Sequence, residues 1–345
     1  MKKKIAGLMV GAALVLAACG DDTTETTPAD SVAEPSDDVT EDAASEDEMT
    51  EESSVEMTEA SSDDGATATT APADAEALEP APAVAEAIIS LSPTATEMLY
   101  AIGAGDQVLA VDDLSNYPEE AGAKMQGLSA FEPNVESIAG LDPDLVLTDG
   151  TNPDLLAQLD TLEIAHWEGP AAVSFDDVYT QIEQLGVVTG HVAEAAELVG
   201  EMQNDVSEVQ EGLPALDEPL TFYHELDPTF FSATSDTFIG AVYTEIGLVN
   251  IADEVGEGSS YPQLNAEFII EQNPDLIFLA CTKYCGETAE SLAARPGWES
   301  LDAIATGGVI EMDDDIASRW GPRIVDYLRI AGDAVATVAA PVAAG

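Results

Sequence analysis

From about residue 88 to residue 340 the apolar positions fall in short runs that alternate between two periods. Residues 87–91 (AIISL) are a continuous apolar run of the kind a buried strand shows. Residues 94–102 carry apolar side chains at helical spacing, with Thr94 as N-cap candidate and Gly103 as stop. A second strand is predicted over 107–111, a short helix over 135–139, and a third strand over 145–147 directly after Asp142-Pro143-Asp144. Later the pattern repeats. A helix is predicted over 237–246, closed by Gly247, then a short helix over 267–271, then Asn273-Pro274-Asp275 and a strand over 276–279.

The match between the copies is one of spacing. Glu136 lies seven residues before Pro143 and Glu267 seven before Pro274, while the aromatics Phe131 and Tyr261 precede those glutamates by five and six. Between the copies, residues 190–212 place Val192, Ala195, Ala196, Val199, Met202, Val206 and Val209 at three- and four-residue steps. A helix of that length spans about 30 Å, the diameter of a small domain. The expectation is an α/β fold of two similar lobes, 88–188 and 213–340, each a mainly parallel sheet flanked by helices. One rigid helix, 189–212, joins them, and the ligand cleft lies between. Such a link predicts only small opening and closing.

The chain before residue 88 reads differently. Three lysines, an apolar run over 5–16 and small residues lead to Cys19, the pattern of a secretory signal over 1–18. Leu16-Ala17-Ala18-Cys19 resembles the lipobox of bacterial lipoproteins, which implies cleavage before Cys19 and a lipid on its sulfur. Residues 20–87 hold no Lys, Arg, Phe, Trp or Tyr, so 19–87 is expected to be a disordered acidic tether. As a coil it would reach about 45 Å, more when swollen by charge.

The formal charge of the whole chain is −59, and six cations remain after the signal: Lys124, Lys283, Arg295, Arg319, Arg323 and Arg329. That composition excludes a nucleic-acid footprint and peripheral docking on anionic lipid. No nucleophile elbow or His-rich metal motif is present, so an enzyme is not expected, nor a resident cofactor. A bare metal-ion receptor would need converging ligands, and the chain has only His166, His191 and His224 to offer as imidazoles.

The opening Ile89-Ser90-Leu91-Ser92-Pro93-Thr94-Ala95-Thr96-Glu97 resembles that of ABC-transporter substrate-binding proteins for metal chelates: ferric siderophores, cobalamin or haem. The resemblance continues through Ser115-Asn116-Tyr117-Pro118, Pro143-Asp144-Leu145-Val146, Tyr261-Pro262-Gln263-Leu264 and Ser318-Arg319-Trp320-Gly321-Pro322-Arg323, and is nearest to the cobalamin-binding branch. It implies a monomeric receptor that captures a chelate and delivers it to an importer. Tyr117, Phe131 and Tyr261 would then offer flat faces to the ligand, core packing being the alternative for each. Arg319 would meet carboxylates, amides or hydroxamates, or else form an internal salt bridge. Tyr223 and His224, following a strand at the start of the second lobe, would line the cleft. Glu136 and Glu267 would dock on arginines of the permease subunits, the alternative being solvated glutamates favoured by the helix dipole. Cys281 and Cys285 remain once Cys19 is lipidated, and a small disulfide at the cleft edge is the preferred reading.

Overall fold

The computed structural model describes residues 84–256 and 258–340. The first lobe runs β1 (Ile88–Ser90), α1 (Pro93–Ala101), β2 (Val108–Asp112), α2 (Glu119–Gly122), β3 (Met125–Leu128), α3 (Val135–Ala139), β4 (Leu145–Thr148), α4 (Pro153–Thr161), β5 (Ala165–Glu168) and α5 (Phe175–Thr189). Helix α6 (Val192–Gly212) follows. The second lobe runs β6 (Thr221–Glu225), α7 (Phe238–Glu245), β7 (Val249–Asn250), α8 (Ala266–Gln272), β8 (Leu276–Leu279), α9 (Ala289–Ala293), α10 (Asp302–Thr306), β9 (Val309–Glu311), α11 (Asp314–Ala317) and α12 (Ile324–Ala339).

The strands form two sheets, ordered β3-β2-β1-β4-β5 and β7-β6-β8-β9, and every pairing is parallel. Helices cover both faces, so β4 (LVLT) and β8 (LIFL) are buried along their whole length. The α/β expectation of two similar lobes therefore holds.

The repeated Pro-Asp has a physical reason. The Asp144 carboxylate accepts from the backbone N–H of Glu86 (2.8 Å) and Ala87 (3.0 Å), immediately before β1. Asp275 accepts from the N–H of Thr221 (2.8 Å) and its hydroxyl (2.9 Å), at the start of β6. Each aspartate thus pins the entry of its lobe's first strand beside the strand it precedes. Asn134 and Asn265 cap α3 and α8 alike, each side-chain oxygen accepting from the backbone N–H three residues on.

Several expected boundaries move. Ser92, not Thr94, caps α1, because Pro93 takes the first helical position, where no N–H is needed. The link does not begin at 189, since Thr189 still belongs to α5 and Gly190, at φ +79°, breaks the chain before α6. The tether is expected to reach 87, yet Ala85 is already buried and donates to Val188 O at 2.9 Å.

Helix α6 lies against α5 on one side and α12 on the other. The first approach is close: a Cβ on Gly186 would fall 2.5 Å from that of Ala195. One continuous core runs from Ile88, Leu99 and Ile182 through Val199, Met202 and Val206 to Phe222, Tyr243 and Tyr327. Smaller cores close the far face of each sheet, around Ile89 and Val146 in the first lobe and Tyr223 and Trp298 in the second. Among the described residues no helix is long and apolar enough to cross a membrane.

Candidate functional site: the cleft between the lobes

Beyond the carboxyl ends of the strands, the two lobes enclose a cavity of about 490 Å³, within the range of small-molecule sites. The first lobe lines it with residues that follow β1, β2, β3 and β4, among them Ser92, Leu114, Phe131 and Asp149. The second lobe contributes Tyr284, from the loop after β8, and Asp315, Ser318, Arg319 and Trp320, after β9.

A charged clasp crosses the cleft. Arg319 Nη1 donates to Glu97 Oε1 and Asn116 Oδ1, both at 2.9 Å. Its Nη2 donates to Leu114 O and Asp315 Oδ1, both at 3.0 Å. Glu97 also takes Arg323, Nε at 2.8 Å and Nη2 at 2.5 Å. Asp315 Oδ2 accepts from Lys283 Nζ (2.6 Å) and from Asn116 Nδ2 (3.0 Å). Glu97 and Arg319 are 3% and 7% exposed, so these ion pairs are shielded from solvent. Burial raises the Asp315 carboxyl, but hydrogen bonds from Lys283 and Asn116 and the charge of Arg319 hold it below the ordinary carboxylate range. Half of the six post-signal cations meet here, so three positive charges face the two carboxylates of Glu97 and Asp315.

Arg319 accordingly lines the cleft, and it also makes the internal salt bridges that were the alternative reading. Those bonds occupy its four Nη–H groups and leave Nε–H unspent by them. Behind it, Asp112 Oδ1 accepts from Leu114 N–H (2.9 Å) and Ser115 N–H (2.7 Å) and so shapes the loop carrying Asn116. Burial pushes the Asp112 carboxyl up.

The expected aromatics part company. Phe131 lines the cleft and is 80% exposed. Tyr117 does not: it lies in an adjoining cavity with the Arg323 guanidinium 4.1 Å from its ring centre. Tyr261 is half-exposed on the loop before α8 but is not among the residues lining the cleft. Tyr223 and His224 are fully buried, which corrects their expected placement. Strand β6 is covered on both faces, so Phe222 and Tyr223 enter opposite cores and neither neighbour reaches the cleft. Tyr223 packs edge-on to Trp298. His224 Nδ1 meets the Tyr243 hydroxyl at 2.8 Å, and burial lowers its pKa to about 3. Among the described residues no group of three His, Cys, Asp or Glu side chains is arranged to hold a metal.

Glu136 and Glu267 are each the second residue of a matching helix, α3 and α8, and both are exposed. Cys281 and Cys285 are bonded, with Cα atoms 5.1 Å apart. Cys19 lies outside the described residues. Tyr284, Trp320, Asp315 and Asn116 were given no role from sequence. Trp320 and Asn116 lie inside the motifs quoted above, and Tyr284 lies between the two cysteines in Cys-Thr-Lys-Tyr-Cys.

The profile described as periplasmic binding protein matches residues 88–316. An uncharacterized ABC transporter substrate-binding lipoprotein, YvrC, of Bacillus subtilis is 32% identical over 248 residues, covering 69% of this chain and 76% of that one. A cobalamin-binding protein of Halobacterium salinarum is also 32% identical over 248 residues, covering 70% and 67%. Among solved structures, the periplasmic vitamin B12 binding protein BtuF of Vibrio cholerae superimposes with a TM-score of 0.63 at 25% identity, covering 74% of this chain and 99% of its own.

Proposed function

This chain belongs to the periplasmic binding protein family, a family of extracytoplasmic binding proteins and not of enzymes, and we propose that it captures a metal chelate, cobalamin or a ferric siderophore, for delivery to an ABC importer. The observation that carries this is the lining of the cleft. An aromatic from each lobe, Phe131 and Tyr284, borders a cavity whose polar lining includes Arg319, Asp315, Asp149 and Asn152. Flat rings suit the face of a corrinoid or the greasy flank of a siderophore. The guanidinium of Arg319 and the side-chain amide of Asn152 suit the amides, carboxylates or hydroxamates at its rim. The relative from Halobacterium salinarum favours cobalamin. A bare ion would need three or four converging ligands, a group the described residues do not supply.

Two further parts belong to this reading. Cys19 carries the lipid anchor, supported by the lipoprotein relative of Bacillus subtilis; mass analysis of the mature N-terminus tests it. Glu136 and Glu267 dock the lobes on the permease, supported by their matched, exposed positions. Calorimetric titration with cyanocobalamin, haemin and ferrichrome tests the receptor itself. Saturable 1:1 binding of cyanocobalamin or ferrichrome is expected, and failure of all three to bind overturns it. With binding established, the Glu136→Ala, Glu267→Ala double variant keeps its affinity and loses uptake; full uptake removes the docking role.

A further inference from the structure

We propose that the loop closed by Cys281 and Cys285 is the second lobe's ligand-gripping element, and that its disulfide sets affinity by holding the ring of Tyr284 across the cleft. This rests on the receptor reading above and adds to it a residue and a control. Tyr284 lines the cavity and is 63% exposed, yet it is held at both ends. Its hydroxyl donates to Asp315 Oδ1 at 3.1 Å. Its backbone N–H donates to Asp314 Oδ2 at 3.0 Å. Asp314, itself 4% exposed, also accepts from the N–H of Thr282 (2.8 Å) and Lys283 (3.0 Å) and from the Thr282 hydroxyl (3.1 Å). The turn closes on itself through Gly286 N–H to Thr282 O and Glu287 N–H to Cys281 O, both at 3.1 Å. The disulfide then locks the five residues that this network orders.

The short span of the disulfide and the fixed, exposed ring make this a device for binding. A disulfide across four residue steps removes little freedom from the unfolded chain compared with one that closes a long loop. Global stability is therefore a poor reason for it. An exposed tyrosine normally samples its rotamers, and fixing one without burying it gains nothing until a flat surface lands on it. Fixing it beforehand spares the ligand that ordering cost. Asp315 joins the ring to the rest of the cleft, since the same carboxylate takes Arg319, Lys283 and Asn116 of the other lobe. The ring, Asp315 and Arg319 thus form one preset wall.

The full-length mature protein is titrated with cyanocobalamin, and with haemin and ferrichrome in parallel. Tyr284→Ala is expected to weaken binding of the preferred chelate at least tenfold, while Tyr284→Phe, which keeps the ring and its backbone tie but gives up the hydroxyl on Asp315, is expected to lose less. The Cys281→Ser, Cys285→Ser variant is expected to lose three- to tenfold with little change in melting temperature. Reduction of the wild type with dithiothreitol should reproduce that loss, and reoxidation should reverse it. If the serine variant does not fold, the Tyr284→Ala and Tyr284→Phe pair and the reduction arm still decide. Wild-type affinity in Tyr284→Ala, or in the reduced protein, overturns the inference while leaving the receptor reading intact. Wild-type failure to bind any of the three chelates overturns both.

Discussion

The two lobes share a plan and part at the cleft. Strands β1, β2, β4 and β5 of the first correspond in order to β6, β7, β8 and β9 of the second. The Pro-Asp pins, the asparagine caps and the exposed glutamates recur in register. At the carboxyl ends of the first strands the resemblance stops. In the first lobe, Ser90, Thr96 and Ser115 form a buried hydroxyl cluster, with the Thr96 hydroxyl 2.9 Å from each of the other two. In the second, Glu225 is bridged twice by Arg295 at 2.6 Å, and the guanidinium lies 4.8 Å from the Trp298 ring centre. The second sheet also has no counterpart of β3. The lesson is that elements fixing strand entry repeat, whereas the buried groups at the carboxyl ends of the first strands diverge.

That difference explains what could be read in advance. The alternation of periods and the doubled Pro-Asp revealed two parallel sheets, because a fully covered strand leaves a continuous apolar run. The pairing of Phe131 with Tyr261 misled, because Phe131 follows β3 and Tyr261 has no such strand to carry it to the cleft. Tyr223 and His224 misled because they read as following a strand, whereas β6 runs on to Glu225, and their partners, Trp298 and Tyr243, lie far along the chain. Tyr284 was hidden for the same reason: it is held by Asp314, thirty residues on. Arg319 stood out by scarcity, since the chain has so few cations.

The largest expected effect separates the two buried ion clusters. Glu97→Ala leaves Arg319 and Arg323 short of their shared carboxylate, and breaking a buried pair in this way costs about 3–5 kcal/mol. Glu225→Ala should cost less, about 2–3 kcal/mol, because Arg295 keeps Glu287 at 2.8 Å. Denaturant melts of both variants check the order. An equal or reversed ranking would show that the clasp between lobes is no stronger than the cluster within one.

Acid should act at two places, the interior of the second lobe and the clasp between the lobes, by different groups. His224 in the second lobe binds its proton near pH 3 when folded and near 6.5 when unfolded. Between those values the unfolded state holds the extra proton, so its contribution to stability falls as pH falls. The slope is about 1.4 kcal/mol per pH unit, or roughly 2–3 kcal/mol by pH 4.5. Asp315 carries a lowered pKa, so its share is present above the ordinary carboxylate value of 3.8 and is lost as pH drops through it. His224→Phe should flatten the stability profile between pH 6 and 4.5 and leave the steeper loss below pH 4. A slope unchanged by His224→Phe would place the acid sensitivity elsewhere.

The smallest effect concerns the two aromatics that spacing paired. Phe131 borders the cleft at 80% exposure and sits on a loop whose short ties include Glu132 N–H to the Ser129 hydroxyl at 3.2 Å. Its ring is free to settle on a ligand and be buried there, so Phe131→Ala should weaken chelate binding by about 1–3 kcal/mol. Tyr261 lies outside the cleft lining, on a loop anchored by Thr234 N–H to Ser260 O and Ser232 N–H to Pro262 O, both at 2.9 Å. Tyr261→Ala should therefore change affinity by less than about 0.5 kcal/mol, the usual scale for a surface substitution. Parallel titrations of the two variants measure the difference. A loss at Tyr261 as large as that at Phe131 would mean that the lobes close further on the ligand than this structure does, and bring to the cleft an aromatic that its missing strand now leaves outside.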